Sequence, residues 1–336
     1  MRILVVRIGR AGDMVMITPA LKALLSCYPQ ALFTLLTSPD GNRLLKNYSA
    51  QIDDIRIWNR SSLTSTLQKL SIRRQLKKTN FDMVFCFETS KSIAKLTNNI
   101  AKRSFYQQAY QNNIHHAQVS LNLVAEACST SPNFLPVNLP VSKEALDNID
   151  TELKSIGITD SDFIIALHPT YSGFLSNNPK KRHIRKHKLW PAKHFSELAK
   201  SLCSIKLPNG KHPKVIIDLL DSEIPLGEKI SELAQGSIHL INTKPNFERY
   251  KALLKRTNLL VAPDTGPMHI AAAVNTRIIA LFSNKDPQDC GPYTDPERFI
   301  TLRSEHTDSP EKGISAITVE SVLSACHKQI NKHFGQ

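Results

Sequence analysis

The chain has 336 residues, of which 41% are hydrophobic and 21% are charged, and its formal net charge is +14. The length predicts two domains, and the apolar content excludes an intrinsically disordered protein. Such a positive charge predicts an anionic partner: a phosphorylated small molecule, an acidic membrane surface or nucleic acid.

Short apolar runs alternate with helical patterns along the whole chain. In the first part the predicted strands are 3–6, 32–36, 55–58 and 83–87, and the predicted helices are 14–26, 63–77 and 93–101. In the second part the predicted strands are 163–167, 215–219, 238–241, 259–261 and 278–282, and the predicted helices are 192–203, 226–234, 247–255 and 268–273. Strands that are apolar throughout suit parallel sheets covered on both faces. The pattern therefore predicts an α/β protein of two Rossmann-like, doubly wound domains.

The domain boundary is predicted from a change in composition. Residues 131–140 are extended and punctuated by prolines, which is typical of a linker. We therefore expect one domain over residues 1–140 and a second over residues 141–313. Residues 314–336 have a helical pattern, and this terminal helix is a candidate to pack back on the N-terminal domain.

Several features predict a cytoplasmic protein. The first apolar run is too short for a signal peptide, and no segment approaches the ~20 apolar residues that a spanning helix needs. The six cysteines are scattered without a C-x-x-C pair, so we expect reduced thiols and no metal cluster. They are Cys27, Cys86, Cys128, Cys203, Cys290 and Cys326.

The segment LLVAPDTGPMHIAAA, at residues 259–273, contains a strand-to-helix corner. An apolar strand ends at Pro263, and a helix is predicted to begin near Gly266 with Asp264 or Thr265 as its cap. Ligands bind outside the carboxyl ends of parallel strands, and a helix N-terminus attracts phosphate. By itself the segment supports an ordinary capped helix and a phosphate site equally.

A second corner follows the first predicted strand. Gly9, Arg10 and Gly12 precede Asp13, in a pattern that is neither a dinucleotide fingerprint nor a phosphate loop. One interpretation makes Asp13 an N-cap, since aspartate is among the best capping residues. The other makes it a general base that points into an interdomain cleft. Pro19 either kinks the following helix or marks its start.

A strongly basic segment, residues 180–188, precedes Trp190 and Pro191. A solvated charged loop is one interpretation, and a nucleic-acid patch is another. In the third, Lys188 contacts a diphosphate as a point charge. Nucleic acid is disfavoured because Trp190 is the only aromatic residue near these basic side chains.

Together these motifs resemble glycosyltransferase family nine, the bacterial lipopolysaccharide heptosyltransferases. They are G-x-x-G-D at 9–13 followed by T-P, K-x-W-P at 188–191, and A-P-D-T-G-P-M-H-I-A-A-A at 262–273. The resemblance implies the GT-B arrangement, in which two Rossmann-like domains face a cleft. It also implies an inverting, metal-independent transfer from a nucleotide-activated sugar, typically ADP-heptose, to a lipopolysaccharide core sugar. No cofactor is expected beyond the ADP-sugar co-substrate.

The resemblance implies a role for each motif residue. Asp13 would take the proton of the acceptor hydroxyl, and its loop, Gly9, Arg10 and Gly12, would lie on the acceptor side. On the donor side, Asp264 would contact the sugar. The other implied donor-binding residues are Lys188 at the diphosphate, Thr265, Gly266 and His269 around the phosphates, and Glu223 at the ribose.

The basic composition suits two further partners. An anionic lipopolysaccharide precursor and the acidic inner face of the cytoplasmic membrane would both be attracted to it. Two alternatives stay open at this point. One is a transferase that uses another nucleotide sugar or a non-core acceptor, and the other is a non-catalytic module that binds polyanions.

Overall fold

The computed structural model of the chain describes residues 1–60, 65–110, 113–171, 173–175, 187–242 and 244–335. Two compact units are present. The N-terminal unit consists of Met1–Pro140 together with Gln288–Tyr293, and the C-terminal unit consists of Val141–Pro287 and Thr294–Gln336.

The N-terminal unit is built on a five-stranded parallel sheet with the order β3-β2-β1-β4-β5. Its strands are β1 (Arg2–Arg7), β2 (Leu32–Thr37), β3 (Ile52–Ile57), β4 (Phe81–Cys86) and β5 (Ala101–Tyr106). Its helices are α1 (Ala11–Met16), α2 (Thr18–Cys27), α3 (Pro39–Leu45), α4 (Ser65–Lys78), α5 (Lys91–Thr97) and α6 (His116–Cys128). In the centre, Val5 pairs with Leu35 on one side and Phe85 on the other, and all three are buried.

The C-terminal unit is built on a six-stranded parallel sheet with the order β8-β7-β6-β9-β10-β11. Its strands are β6 (Ile164–Leu167), β7 (Lys214–Leu219), β8 (His239–Asn242), β9 (Leu259–Pro263), β10 (Arg277–Phe282) and β11 (Phe299–Arg303). Its helices are α7 (Lys143–Ser155), α8 (Ala192–Ser204), α9 (Ile224–Leu233), α10 (Phe247–Arg256), α11 (Gly266–Ala273) and α13 (Val319–Phe334). The short helix α12 (Pro287–Cys290) starts in this unit, but its last three residues belong to the N-terminal unit. Within the described ranges, no helix combines the length and the apolar character that crossing a lipid bilayer requires.

The strand orders locate the binding edge of each unit. Counted within its own unit, the C-terminal sheet has the order 3-2-1-4-5-6 of dinucleotide-binding folds, and the N-terminal sheet has the same order with one strand fewer. The order reverses between β1 and β4 in one sheet and between β6 and β9 in the other. Ligands bind outside the carboxyl ends of the strands at such a switch point. The predicted fold class, two doubly wound α/β domains, is confirmed.

The sequence pattern missed the last strand of each unit, β5 and β11, which both lie at the edge of their sheets. Each is only partly buried, since an edge strand needs no continuous apolar run. The predicted helix at 14–26 is two helices in the structure, since α1 ends at Met16 and α2 begins at Thr18, with Ile17 between them. Pro19 lies in the first turn of α2 and therefore marks a helix start instead of a kink.

The terminal helix α13 belongs to the C-terminal unit. Its apolar face, with Val322, Cys326 and Ile330, is part of the core that also includes α8. Arg277 Nη1 donates to Gln329 Oε1 (2.8 Å) and ties the helix to the start of β10. The helix therefore contributes to the core of its own unit, and the expectation that residues 314–336 pack back on the N-terminal domain stays a prediction.

A second departure from the predicted boundaries is the segment Gln288–Tyr293, which joins the N-terminal unit although it lies within residues 141–313. Tyr293 stacks on His115, with ring centroids 4.5 Å apart, and its carbonyl accepts from Val137 N (2.9 Å). The Gly291 carbonyl lies 3.1 Å from His115 Nε2. These contacts with α6 and the linker hold the segment in the first unit.

The cysteine expectation is also corrected for one pair. Cys27 and Cys128 form a disulfide bond, with their Cα atoms 6.5 Å apart. They are the last residues of α2 and α6, which pack against each other and bring together positions 101 residues apart in sequence. The other cysteines remain as thiols: Cys86, Cys203, Cys290 and Cys326.

Candidate active site

Asp13 lies just beyond the carboxyl end of β1, as the third residue of α1. Its Oδ2 accepts from the backbone N of Arg10 (3.0 Å), the exposed residue at the N-cap position. Its Oδ1 accepts from Arg7 Nη2 (2.9 Å). The N-cap of α1 is therefore Arg10, and the interpretation of Asp13 as the N-cap is wrong. The carboxylate nevertheless satisfies a backbone donor at the helix start, and 39% of the side chain stays exposed.

Arg7, the last residue of β1, anchors this site. Its side chain is only 10% exposed, and its Nη1 donates to the Phe87 carbonyl (2.6 Å) and to Tyr110 Oη (3.1 Å). Burial by itself lowers the pKa of Arg7, but Tyr110, Asp13 and Glu88 outweigh it and raise the pKa above its usual value. The guanidinium thus connects the ends of β1 and β4 across the switch point.

Glu88 is a second carboxylate at the same edge, directly after β4. Its Oε1 accepts from Ile8 N (2.7 Å) and lies 3.9 Å from Arg7 Nη1, and its side chain is 10% exposed. Sequence reasoning missed Arg7, Glu88 and Tyr110. The first two had a usable signal, because each directly follows a predicted strand, 3–6 or 83–87, and the carboxyl ends of parallel strands lie at one edge of the sheet.

Gly9 is required by the position of Asp13. A Cβ at Gly9 would lie 2.3 Å from Asp13 Cβ and 2.7 Å from Asp13 Oδ2. The Gly9 carbonyl accepts from Ser38 Oγ (2.6 Å), which ties the loop to the start of α3. Gly12 is the second residue of α1. A side chain at Gly9 would displace the carboxylate.

The second corner lies at the switch point of the C-terminal sheet. Asp264 and Thr265, each 8% exposed, connect β9 to α11. Thr265 occupies the N-cap position, but its Oγ1 donates back to the Pro263 carbonyl (3.2 Å) and does not cap the helix. Asp264 N donates to Leu281 O (3.0 Å), so the corner is fixed to β10.

Lys188 and Asp264 meet at this corner although 76 residues separate them. Lys188 Nζ donates to the Asp264 carbonyl (2.6 Å) and to its Oδ2 (2.8 Å). The two side chains are 26% and 11% exposed. The two side chains form an ion pair directly before the N-terminus of α11, and a helix N-terminus is a place where a phosphate group binds well.

The remaining predicted donor residues lie along the same edge. Gly266 begins α11, and His269 is buried in its first turn. Glu223 lies in a short 3₁₀ turn after β7, where its Oε2 is 3.5 Å from Leu220 N. β7 is next to β6 at the switch point, so the structure gathers all six predicted residues at one end of the C-terminal sheet.

Two predictions about the basic segment have different outcomes. Residues 180–186 lie outside the described residues, so the proposals for their role remain predictions. Trp190 is 1% exposed, packs edge-on against Phe195, and donates from Nε1 to the Ile317 carbonyl (2.8 Å). It is a core residue, which excludes it as a stacking platform for bases.

His168 follows β6 at the switch point. Its backbone N donates to Val261 O (2.9 Å), and its ring Nε2 lies 3.4 Å from Thr170 Oγ1. Burial of most of the ring lowers the pKa of His168 to about 4. The ring is therefore neutral at pH 7 and adds no charge to the corner.

Comparisons with known proteins agree with this architecture. Residues 69–317 match the model of glycosyltransferase family 9 (heptosyltransferase). Lipopolysaccharide heptosyltransferase 3 of Escherichia coli K12 is 24% identical, over 94% of each chain. Among solved structures, the family 9 glycosyltransferase of Veillonella parvula superposes with a TM-score of 0.80 at 20% identity, over 98% of this chain and 97% of that one. ADP-heptose lipopolysaccharide heptosyltransferase II of E. coli superposes with a TM-score of 0.74 at 16% identity, over 99% and 100%.

The fold, shared with these solved structures, is that of a glycosyltransferase of the GT-B class. The family match covers well over half of the chain. The chain belongs to glycosyltransferase family 9, the heptosyltransferase family, which confirms the resemblance found in the sequence motifs.

We expect Arg7→Met to lower the free energy of unfolding by about 3 kcal/mol, because it leaves two carboxylates and a carbonyl without their buried cation. Arg7→Lys keeps the charge and should cost less. Urea denaturation followed by circular dichroism measures both. Arg43→Met, at an arginine that is 60% exposed, should change stability by only about 0.5 kcal/mol. Equal stability of Arg7→Met and the wild type would contradict the anchoring role.

The lowered pKa of His168 predicts a pH-dependent stability. Between about pH 4 and the ordinary value near 6.5, the unfolded chain binds a proton that the folded chain does not. The free energy of unfolding should therefore fall as the pH drops through this window, by up to ~1.4 kcal/mol per unit from this residue. Urea titrations across the window should show a flatter profile for His168→Asn. His306→Asn, at a side chain that is 71% exposed, should keep the wild-type slope, and parallel profiles for all three proteins would disprove the assignment.

Proposed function

We propose that the protein transfers a heptose or a related sugar from an ADP-activated donor to a lipopolysaccharide core acceptor. Transfer inverts the anomeric carbon, uses Asp13 as the general base and needs no metal ion. One observation carries the proposal: at its switch point, each sheet presents a charged group of the sign that this reaction requires. The N-terminal unit presents the Asp13 carboxylate, and the C-terminal unit presents the Lys188 ammonium beside α11.

On the acceptor side, the geometry of Asp13 supports a role as base. Arg7 and the backbone of Arg10 hold one carboxylate oxygen each, so the group has a defined orientation. More than a third of the side chain is exposed and can be reached by a hydroxyl group. In the proposed step Asp13 takes the proton while the acceptor oxygen bonds to the anomeric carbon. Gly9, Arg10 and Gly12 form the loop around the acceptor.

On the donor side, the bond between the anomeric carbon and the diphosphate oxygen breaks, and negative charge develops on the departing ADP. Lys188 and the N-terminus of α11 stabilise this charge in place, without reorganisation of solvent. Thr265, Gly266 and His269 surround the phosphates. When the diphosphate binds Lys188, Asp264 becomes available for the hydroxyl groups of the sugar, and Glu223 for the ribose.

The names of the related proteins support the choice of substrates. The E. coli structure is described as an ADP-heptose lipopolysaccharide heptosyltransferase, and the E. coli relative is a lipopolysaccharide heptosyltransferase. We therefore propose a nucleotide-sugar donor and an anionic lipopolysaccharide precursor as partners. The net charge of +14 suits that acceptor and a peripheral location on the inner face of the cytoplasmic membrane.

Asp13→Asn should lower kcat for transfer from ADP-heptose to a truncated core acceptor by about 10²- to 10⁴-fold, because the base is lost while the shape is kept. Binding of ADP, measured by calorimetry, should not change. Glu126→Gln, at an exposed glutamate of α6, is the matched control and should retain full activity. Undiminished transfer by Asp13→Asn would remove this residue from its role.

Lys188→Met should raise the Kd for ADP by about 10- to 100-fold, which corresponds to the ~1.5–3 kcal/mol of a charge-assisted hydrogen bond. Lys188→Arg keeps the charge and should bind ADP better than the Met variant. Lys193→Met replaces a lysine that is 77% exposed and should bind ADP as the wild type does. Equal ADP affinities for all four proteins would place the diphosphate elsewhere.

A further inference from the structure

The helix α4 presents an unusual outer surface. Leu67 and Leu70 are 69% and 55% exposed. On the opposite side, Ile72 and Leu76 are buried in the apolar cluster beneath the helix. Helical periodicity places Leu67 and Leu70 on one stripe with Arg74 and adjacent lysines, well away from the buried side chains. The exposed leucines are thus held outward by a helix that is anchored through its other face.

The charge around these leucines has a single sign. The sequence of α4, STLQKLSIRRQLKK, contains five basic residues and no acidic one. Lys69 Nζ donates to Ser92 Oγ (2.7 Å), and Arg73 Nη1 donates to the Leu96 carbonyl (2.7 Å), so both link α4 to α5. The other three basic residues are exposed, and no carboxylate in the described part of the chain pairs with them: Arg74, Lys77 and Lys78.

This face belongs to a wider basic region. The helix α5 contributes exposed Lys91 and Lys95 and also lacks acidic residues. From Ser65 to Tyr106 the chain has nine Lys and Arg residues against two Asp and Glu. Residues 1–140 as a whole have 17 against 7, so they carry +10 of the net charge of +14. The positive charge of the protein is concentrated in the unit that also exposes the two leucines.

We propose that the outward face of α4, formed by Leu67, Leu70, Arg74, Lys77 and Lys78, docks on an anionic lipid bilayer. The leucines enter the boundary between head groups and acyl chains, and the basic side chains bind the acidic head groups. This inference specifies the surface behind the membrane location proposed above.

The leucines decide between a membrane and a nucleic acid as the partner. A phosphate backbone attracts Arg and Lys but offers no apolar phase, and the stacking on which single strands rely requires aromatic side chains. The five residues of the α4 face include no aromatic residue. A bilayer supplies both the negative charge and the apolar phase that this face needs.

Sedimentation of the full chain with vesicles tests the proposal. Phosphatidylcholine vesicles that contain phosphatidylglycerol should bind the protein in a salt-dependent manner, and pure phosphatidylcholine vesicles should bind it weakly. The variant Leu67→Gln/Leu70→Gln should bind anionic vesicles about tenfold less or weaker still, since two side chains lose their burial in lipid. Neutralising Arg74, Lys77 and Lys78 to Gln should reduce binding about fivefold per residue.

Matched controls lie in the C-terminal unit. Leu220→Gln/Leu233→Gln replaces two leucines that are 40% and 42% exposed. The triple variant Lys206→Gln, Lys229→Gln and Lys255→Gln removes the same charge from exposed positions. Both controls should bind anionic vesicles as the wild type does. Circular dichroism melting of each variant verifies that it is folded.

Three outcomes overturn the proposal: no binding of the wild type to anionic vesicles, equal binding by the leucine variant, or equal losses in the controls. If only the charges matter, and they matter equally for vesicles and for single-stranded DNA, the face is a general polyanion surface and the proposal fails. Vesicle binding is measured without sugar transfer, and transfer to a soluble acceptor fragment is measured without vesicles. The failure of this inference is therefore distinguishable from the failure of the proposed function.

Discussion

Parallel pairing is the constraint on which the rest of this structure depends. When all strands of a sheet run in one direction, their carboxyl ends lie at one edge, and every loop that follows a strand opens there. In the N-terminal unit this edge gathers Arg7, Asp13 and Glu88. In the C-terminal unit it gathers Lys188 and Asp264. Chemistry is concentrated at these edges because the connectivity of the fold leaves the other parts of each strand buried.

Both corners use an ion pair to hold a carboxylate in a partly buried place. Taking a charge out of water costs several kcal/mol, so a half-buried carboxylate persists only with partners. Arg7 orients the Asp13 carboxylate with one guanidinium nitrogen, and with another it donates a hydrogen bond to the Phe87 carbonyl after β4. Lys188 does the same for Asp264, with which it shares two hydrogen bonds. A diphosphate that competes for Lys188 would change the partners of Asp264, and this exchange connects donor binding with recognition of the sugar in the proposed reaction.

The charge distribution separates long-range attraction from chemistry. Residues 1–140 carry most of the net positive charge, yet the group proposed to react with the acceptor in that unit is an anion. Exposed cations on α4 and α5 attract an acidic surface over a Debye length of roughly 10 Å. A buried cation such as Arg7 acts at contact distance and is screened much less. Lysine and arginine side chains thus attract a distant anionic surface where they are exposed, and they orient a neighbouring carboxylate where they are buried.

Sequence alone determined the fold class, because apolar runs such as those of β1 and β9 report burial on both faces of a parallel sheet. It also located Asp264, which directly follows such a run, and Asp13, which follows the glycines of the loop after β1, and the motifs around them indicated the family. It did not reveal the edge strand β5, whose exposed residues lack an apolar pattern. Only the tertiary structure decided the partners: Arg7 with Glu88, Lys188 with Asp264 over 76 residues, Cys27 with Cys128 over 101, and Trp190 in the core. A local pattern reports whether a position is buried, but contacts between distant segments depend on how whole elements pack.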